Sequence, residues 1–281
     1  MSDLHIFCEL GAIGDTAFNF CRAHAAMEVM GHEKAVVHSA KQFQFGKSKT
    51  KIPNNPDVIE IWNNCNFLKE IVYDIDYNDA SSFDISKTYG CKIEQPMIFR
   101  ENHNILNWID LRKYLPEVPD DKPTVIFQPI SLEKKIHIVA PEHLDSYIPV
   151  WKRCINLLLE KNYRIIMVGG KDDPIHLCVE KKQLPYLDNK IGKWTVLQAL
   201  AFTLHKANLV LSCDSWVGIW GIAAQKKTAI AWGYRYENDI DYWVTNFLGN
   251  RNFYKNGWSS QKDDCDAILA AYLSNIINSK R

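Results

Sequence analysis

Three short clusters carry residue types able to do chemistry. At the end of the first apolar run, "LGAIGDTAFNF" sets Gly11, Gly14 and Asp15 at the mouth of a helical pattern. Glycines there clear space for a ligand. An aspartate beside them can take the proton of an alcohol, which is a poor nucleophile until a positioned base does so. Further on, "MVGGKDD" closes an apolar run with Gly169 and Gly170, and "SCDSW" carries Asp214 and Ser215 where a strand runs into a helix. Such a junction offers unpaired first-turn N–H groups and the positive end of the helix dipole, a setting that suits phosphate. Each cluster also has a plainer reading. Asp15, Asp214 and Ser215 are of types that cap helices, and paired glycines make tight turns. The two junctions in one half of the chain together favour a nucleotide-diphosphate site more than either does singly.

Other candidates surround these. In "QPISLEKK", Gln128 and Ser131 follow an apolar strand, and Lys134 or Lys135 can neutralise phosphate as an ammonium; a solvated loop is the alternative. The stretch "AKQFQFGKSKTKIPNNP" carries Lys41, Lys47, Lys49 and Lys51 interleaved with Phe43 and Phe45. It reads as a long loop, either solvated or gripping a phosphorylated acceptor or a nucleic-acid strand. Asp74-Ile75-Asp76 and Asp239-Ile240-Asp241 match the acidic triplet that holds a divalent ion against a diphosphate in the GT-A class of glycosyltransferases. A chain with 33 acidic residues produces such triplets by chance, and no metal site is assigned. The nucleophile elbow, the P-loop and the HExxH zinc motif are absent. A lone G-x-x-G-D lacks the third glycine of a dinucleotide fingerprint.

The elements that must position these residues alternate. "LHIFCEL" reads as a buried strand, "TAFNFCRAHAAMEVMG" as a helix stopped by Gly31, and "KAVVHS" as a second strand, a βαβ opening that predicts a parallel sheet. "VIEIW" and "EIVYD" read as short strands, and residues 75–107 give no assignment. The Pro-rich, acidic "PEVPDDKP" is the best linker candidate. Beyond it, "TVIFQPI", "YRIIMVGG", "NLVLSCD" and "TAIAWG" read as strands. Helices are expected in "YIPVWKRCINLLLEKN", in "PIHLCVEKKQL", in "TVLQALAFTLHKA", from Trp216, and in "DDCDAILAAYLSNIINSK". The expected architecture is α/β, with two Rossmann-type doubly wound domains facing a cleft: 1–118, 119–260, and a helix over 261–281 packing back on the first domain.

Composition narrows the partners. The 281 residues are 47% hydrophobic, enough for a sizeable core, and 33 basic residues balance 33 acidic ones, so no global field draws the chain to nucleic acid or a membrane. No apolar run is long enough to span a bilayer and no leader pattern opens the chain. The eight cysteines are scattered singly, without zinc spacing, as expected of a reduced cytoplasmic protein.

The run "MVGG…IGKWTVLQALAFTLHKANLVLSCDSWVGIWGIAAQKKTAIAWG" resembles the heptosyltransferase-like family of GT-B glycosyltransferases, glycosyltransferase family 9. Gly11, Gly14 and Asp15 match that family's first turn. Gly169 and Gly170 match its second, Gly192, Lys193 and Thr195 its G-K-T/S helix start, and Asp214 with Ser215 its next helix start. The resemblance implies an enzyme moving a sugar from a nucleotide-diphosphate sugar, with no cofactor or metal, to a hydroxyl of a glycan, a lipid-linked molecule or DNA. It implies that Asp15 is the general base of an inverting transfer. It puts the donor against Gln128, Ser131, Lys134, Gly169, Gly170, Lys193, Thr195, Asp214, Ser215 and Trp216, and the acceptor against Gly14, Lys47, Lys49 and Lys51. The chain departs from the pattern at Trp216, where the family has glycine, and at Ile219, where it has histidine. Trp216 either stacks on a ring of the ligand or belongs to the core. Those departures leave a non-catalytic nucleotide-sugar binder, and the lysine-rich loop leaves a phage-type DNA-modifying transferase, as alternatives. Oligomeric state is not read from the sequence.

Overall fold

The computed structural model describes residues 3–8, 10–44, 51–74, 104–129, 141–173, 178–213, 215–231 and 253–256. These form two compact units, one ending at Leu111 and the other starting at Arg112.

In the first unit, β1 (Leu4–Phe7), β2 (Ala35–His38) and β5 (Leu68–Val72) make a parallel sheet in the order β1-β2-β5. Helix α1 (Ile13–Met30) connects β1 to β2 and stops at Gly31, whose φ of 70° costs a glycine nothing and whose N–H bonds back to Met27 O. The stretch expected to hold the strand "VIEIW" is instead helix α2 (Pro56–Asn63). Asn55 caps it by accepting from Asp57 N, Pro56 begins it, and Val58, Ile61 and Trp62 bury one helical face. The i, i+3, i+4 spacing of those three wins over the local β-branched content. The expected loop over 41–51 contains two short strands, β3 (Gln42–Gln44) and β4 (Lys51–Pro53), paired antiparallel with Phe43 opposite Ile52. The core is aromatic: Phe20 stacks on Trp62 with ring centroids 4.2 Å apart, and Phe67 meets Phe20, Trp62 and Trp108.

In the second unit six parallel strands form one sheet. They are β6 (Thr124–Gln128), β7 (Arg164–Met167), β8 (Leu187–Asn189), β9 (Leu209–Cys213), β10 (Lys227–Ala231) and β11 (Phe253–Asn256), ordered β11-β10-β9-β6-β7-β8. Every residue of β6 and β9 is buried, as parallel strands covered on both faces require. Val125 and Phe127 point into a cluster with Trp151, Ile155 and Leu158 of α3 (Pro141–Glu160). Ile126 points the other way, into a cluster with Ala199 and Phe202 of α4 (Val196–His205) and Val217 of α5 (Trp216–Ala223). This sheet is doubly wound.

The helix expected in "PIHLCVEKKQL" does not form among its described residues. Cys178 and Val179 are buried against α3, and a single 3-10 turn, Leu184–Tyr186, follows. Buried Gln183 holds this segment, accepting from Glu180 N and donating to Lys152 O and Asn156 Oδ1. The expected C-terminal helix over 261–281 lies outside the described residues. No helix among the described residues is long and apolar enough to cross a membrane.

Cys8, Cys21, Cys65, Cys154, Cys178 and Cys213 are buried thiols outside any disulfide. Burial pushes the thiols of Cys21, Cys65 and Cys178 up to about 12. The unfolded chain ionises such thiols near pH 9, so above that pH the unfolded state has lost protons that the folded state keeps. Their contribution is therefore fully present below pH 9 and declines toward pH 12, by up to about 1.4 kcal/mol per pH unit for each thiol. Urea midpoints should fall from pH 8 to pH 10.5, and a variant with all three cysteines replaced by alanine should lose less over that interval.

Candidate functional site

In the second unit the chain runs from β6 through β7 to β8 on one side, then returns to β9 and runs through β10 to β11 on the other. The strand order reverses between β6 and β9. In open parallel sheets ligands bind outside the carboxyl ends of the strands at such a reversal. Gln128 ends β6, and Ser215 follows β9 as the N-cap of α5. Their side chains meet there, Ser215 Oγ donating to Gln128 Oε1 at 2.7 Å, with Ser212 Oγ 2.8 Å from Ser215 Oγ. All three side chains are buried. The Ser215 hydroxyl bonds Gln128 and makes no cap bond to the first turn of α5.

Helix α5 is apolar all round and lies close on the sheet. At Gly221 an added Cβ would stand 2.9 Å from both Val210 Cγ2 and Thr228 Oγ1, so only glycine lets the helix approach β9 and β10 this closely. Ile219, at the position where a polar residue was expected from the resemblance, is buried in this helix. Trp216 opens α5 half-buried, packed with Trp194 on the cluster around Ile126 and Phe202.

The glycine turn after β7 and the turn before α4 are brought together. Gly192 N donates to Gly169 O at 3.1 Å and Lys190 N to Met167 O at 2.9 Å. Gly192 has φ of 63°, and a Cβ there would come within 2.8 Å of Lys171 Cβ, so the close approach of the two turns depends on glycine twice over. The N–H of Gly170 is taken by Asp173 Oδ2 at 2.8 Å. Lys193 Nζ donates to Asn189 O at 3.0 Å. Thr195 caps α4 in a reciprocal capping box with Gln198. Gln128, Gly169, Gly170, Lys193, Thr195, Ser215 and Trp216 thus all belong to the carboxyl ends of β9, β6, β7 and β8 or the turns beyond them. Ser131, Lys134 and Asp214 lie outside the described residues.

In the first unit Asp15 is not the cap of α1. Ala12 holds that position without a side-chain bond, and Asp15 stands at the third helical residue, where a carboxylate interacts favourably with the dipole. Gly14 lies inside the helix rather than in the turn before it. The loop after β1 is held against the start of α2 by Asn55 N donating to Leu10 O at 2.7 Å. Asn54 Nδ2 reaches Ala40 O after β2 at 2.8 Å, and its buried Oδ1 has no hydrogen-bond partner among the described residues. Sequence reasoning passed over this asparagine pair; the signal was "NNP", an Asx cap before a proline. Lys51 lies on β4, while Lys47, Lys49 and Phe45 lie outside the described residues. Asp74 of the first acidic triplet is engaged by His38, Nδ1 to Oδ2 2.8 Å, and His38 Nε2 lies 2.8 Å from His5 Nδ1. The rest of that triplet and the second triplet lie outside the described residues.

The chain has the GT-B-like fold of the heptosyltransferases of glycosyltransferase family 9. It matches the E. coli ADP-heptose lps heptosyltransferase II with a TM-score of 0.63 over 98% of each chain at 9% identity. It matches E. coli heptosyltransferase WaaC with ADP at 0.55, over 96% of this chain and 99% of that one, at 11% identity. A glycosyltransferase family 9 structure from Veillonella parvula matches at 0.50, over 89% of this chain and 85% of the other, again at 11% identity. No protein-family model and no curated sequence matches the chain.

Gly221→Ala should force α5 off the sheet and cost about 1–3 kcal/mol, read as a lowered thermal midpoint. An unchanged midpoint would mean that the helix yields without strain.

Proposed function

We propose that this protein is a glycosyltransferase that moves a sugar from a nucleotide-diphosphate sugar to a hydroxyl acceptor. The observation that carries this reading is the likeness to E. coli ADP-heptose lps heptosyltransferase II along 98% of both chains. The second unit supports it with a strand-order reversal, a helix start that the Ser215 side chain does not cap and a pair of clipped glycine turns on one sheet edge. In this reading the second unit holds the donor, with ADP-sugars the first candidates because the WaaC structure contains ADP. The first unit holds the acceptor beside Asp15.

The proposed step is an inverting displacement. The Asp15 carboxylate accepts the acceptor's O–H proton as the oxygen attacks the anomeric carbon. The bond from that carbon to the diphosphate oxygen breaks, and the nucleoside diphosphate departs with the electron pair. The N–H groups at the start of α5 stabilise the negative charge growing on the leaving group. No divalent ion is invoked, so transfer is expected to persist in EDTA.

Asp15→Asn tests the base. Fold and nucleotide binding should survive, while transfer falls by about 10²–10⁴, followed as nucleotide release from a panel of nucleotide sugars with candidate acceptors. Turnover close to that of the unaltered protein would reduce Asp15 to a structural residue. The packing of Trp216 and the burial of Ile219 favour a second reading, a nucleotide-sugar binder without turnover. Calorimetric binding with no nucleotide release on any acceptor would select it.

A further inference from the structure

We draw no further inference here: the strongest candidate, the His5–His38–Asp74 side-chain cluster on the three-stranded sheet of the first unit, is hydrogen-bonded within itself and, among the described residues, presents no arrangement of ligands that could hold a metal and no group that points to a substrate or partner.

Discussion

A parallel sheet must be covered on both faces, and the second unit is organised by that constraint. Its strands cannot join by hairpins, so every connection crosses over a face, and every chain direction change after a strand occurs at the same edge. The strand β6 begins two outward series, toward β8 and toward β11, and this leaves the reversal beside β9. Gln128, Gly169, Gly170, Thr195 and Ser215 are gathered along that edge by this connectivity.

Polar groups at the reversal are arranged against the ordinary preferences of a helix start. Serine at an N-cap normally accepts from the first-turn N–H groups. Here Ser215 turns its hydroxyl to Gln128, and the tightness of α5 on the sheet, set by Gly221, keeps the groups within reach of each other. The contrast with Thr195 is informative. That residue caps α4 by the ordinary capping box. Two helices in one unit thus begin differently, and the difference lies at the position where the strand order reverses.

The first unit places its chemistry by other means. Asp15 rides on the first turn of α1, whose entry loop is held by a backbone bond from the start of α2. The N-termini of α1 and α2 are therefore neighbours. The His5, His38 and Asp74 chain lies on the same sheet and gives Asp74 a partner other than a metal.

Periodicity and punctuation made much of this legible beforehand. The βαβ opening, the helix stop at Gly31, and the strands β6, β7, β9 and β10 follow from local apolar pattern and glycine placement, which are properties of neighbouring residues. The glycine pair Gly169–Gly170 and the junction at Asp214 and Ser215 suggested a phosphate-suited edge from the same kind of local pattern. Alternation misled at 58–62, where the cap of Asn55 and the helical spacing of Val58, Ile61 and Trp62 outweighed β-branched content. The helix expected around "PIHLCVEKKQL" also failed among its described residues, where Cys178 and Val179 are buried against α3. Strand order, the clip between Gly192 and Gly169, and the bond from Ser215 to Gln128 join residues far apart along the chain. They arise only when the sheet assembles, because no local pattern states which strand will lie beside which.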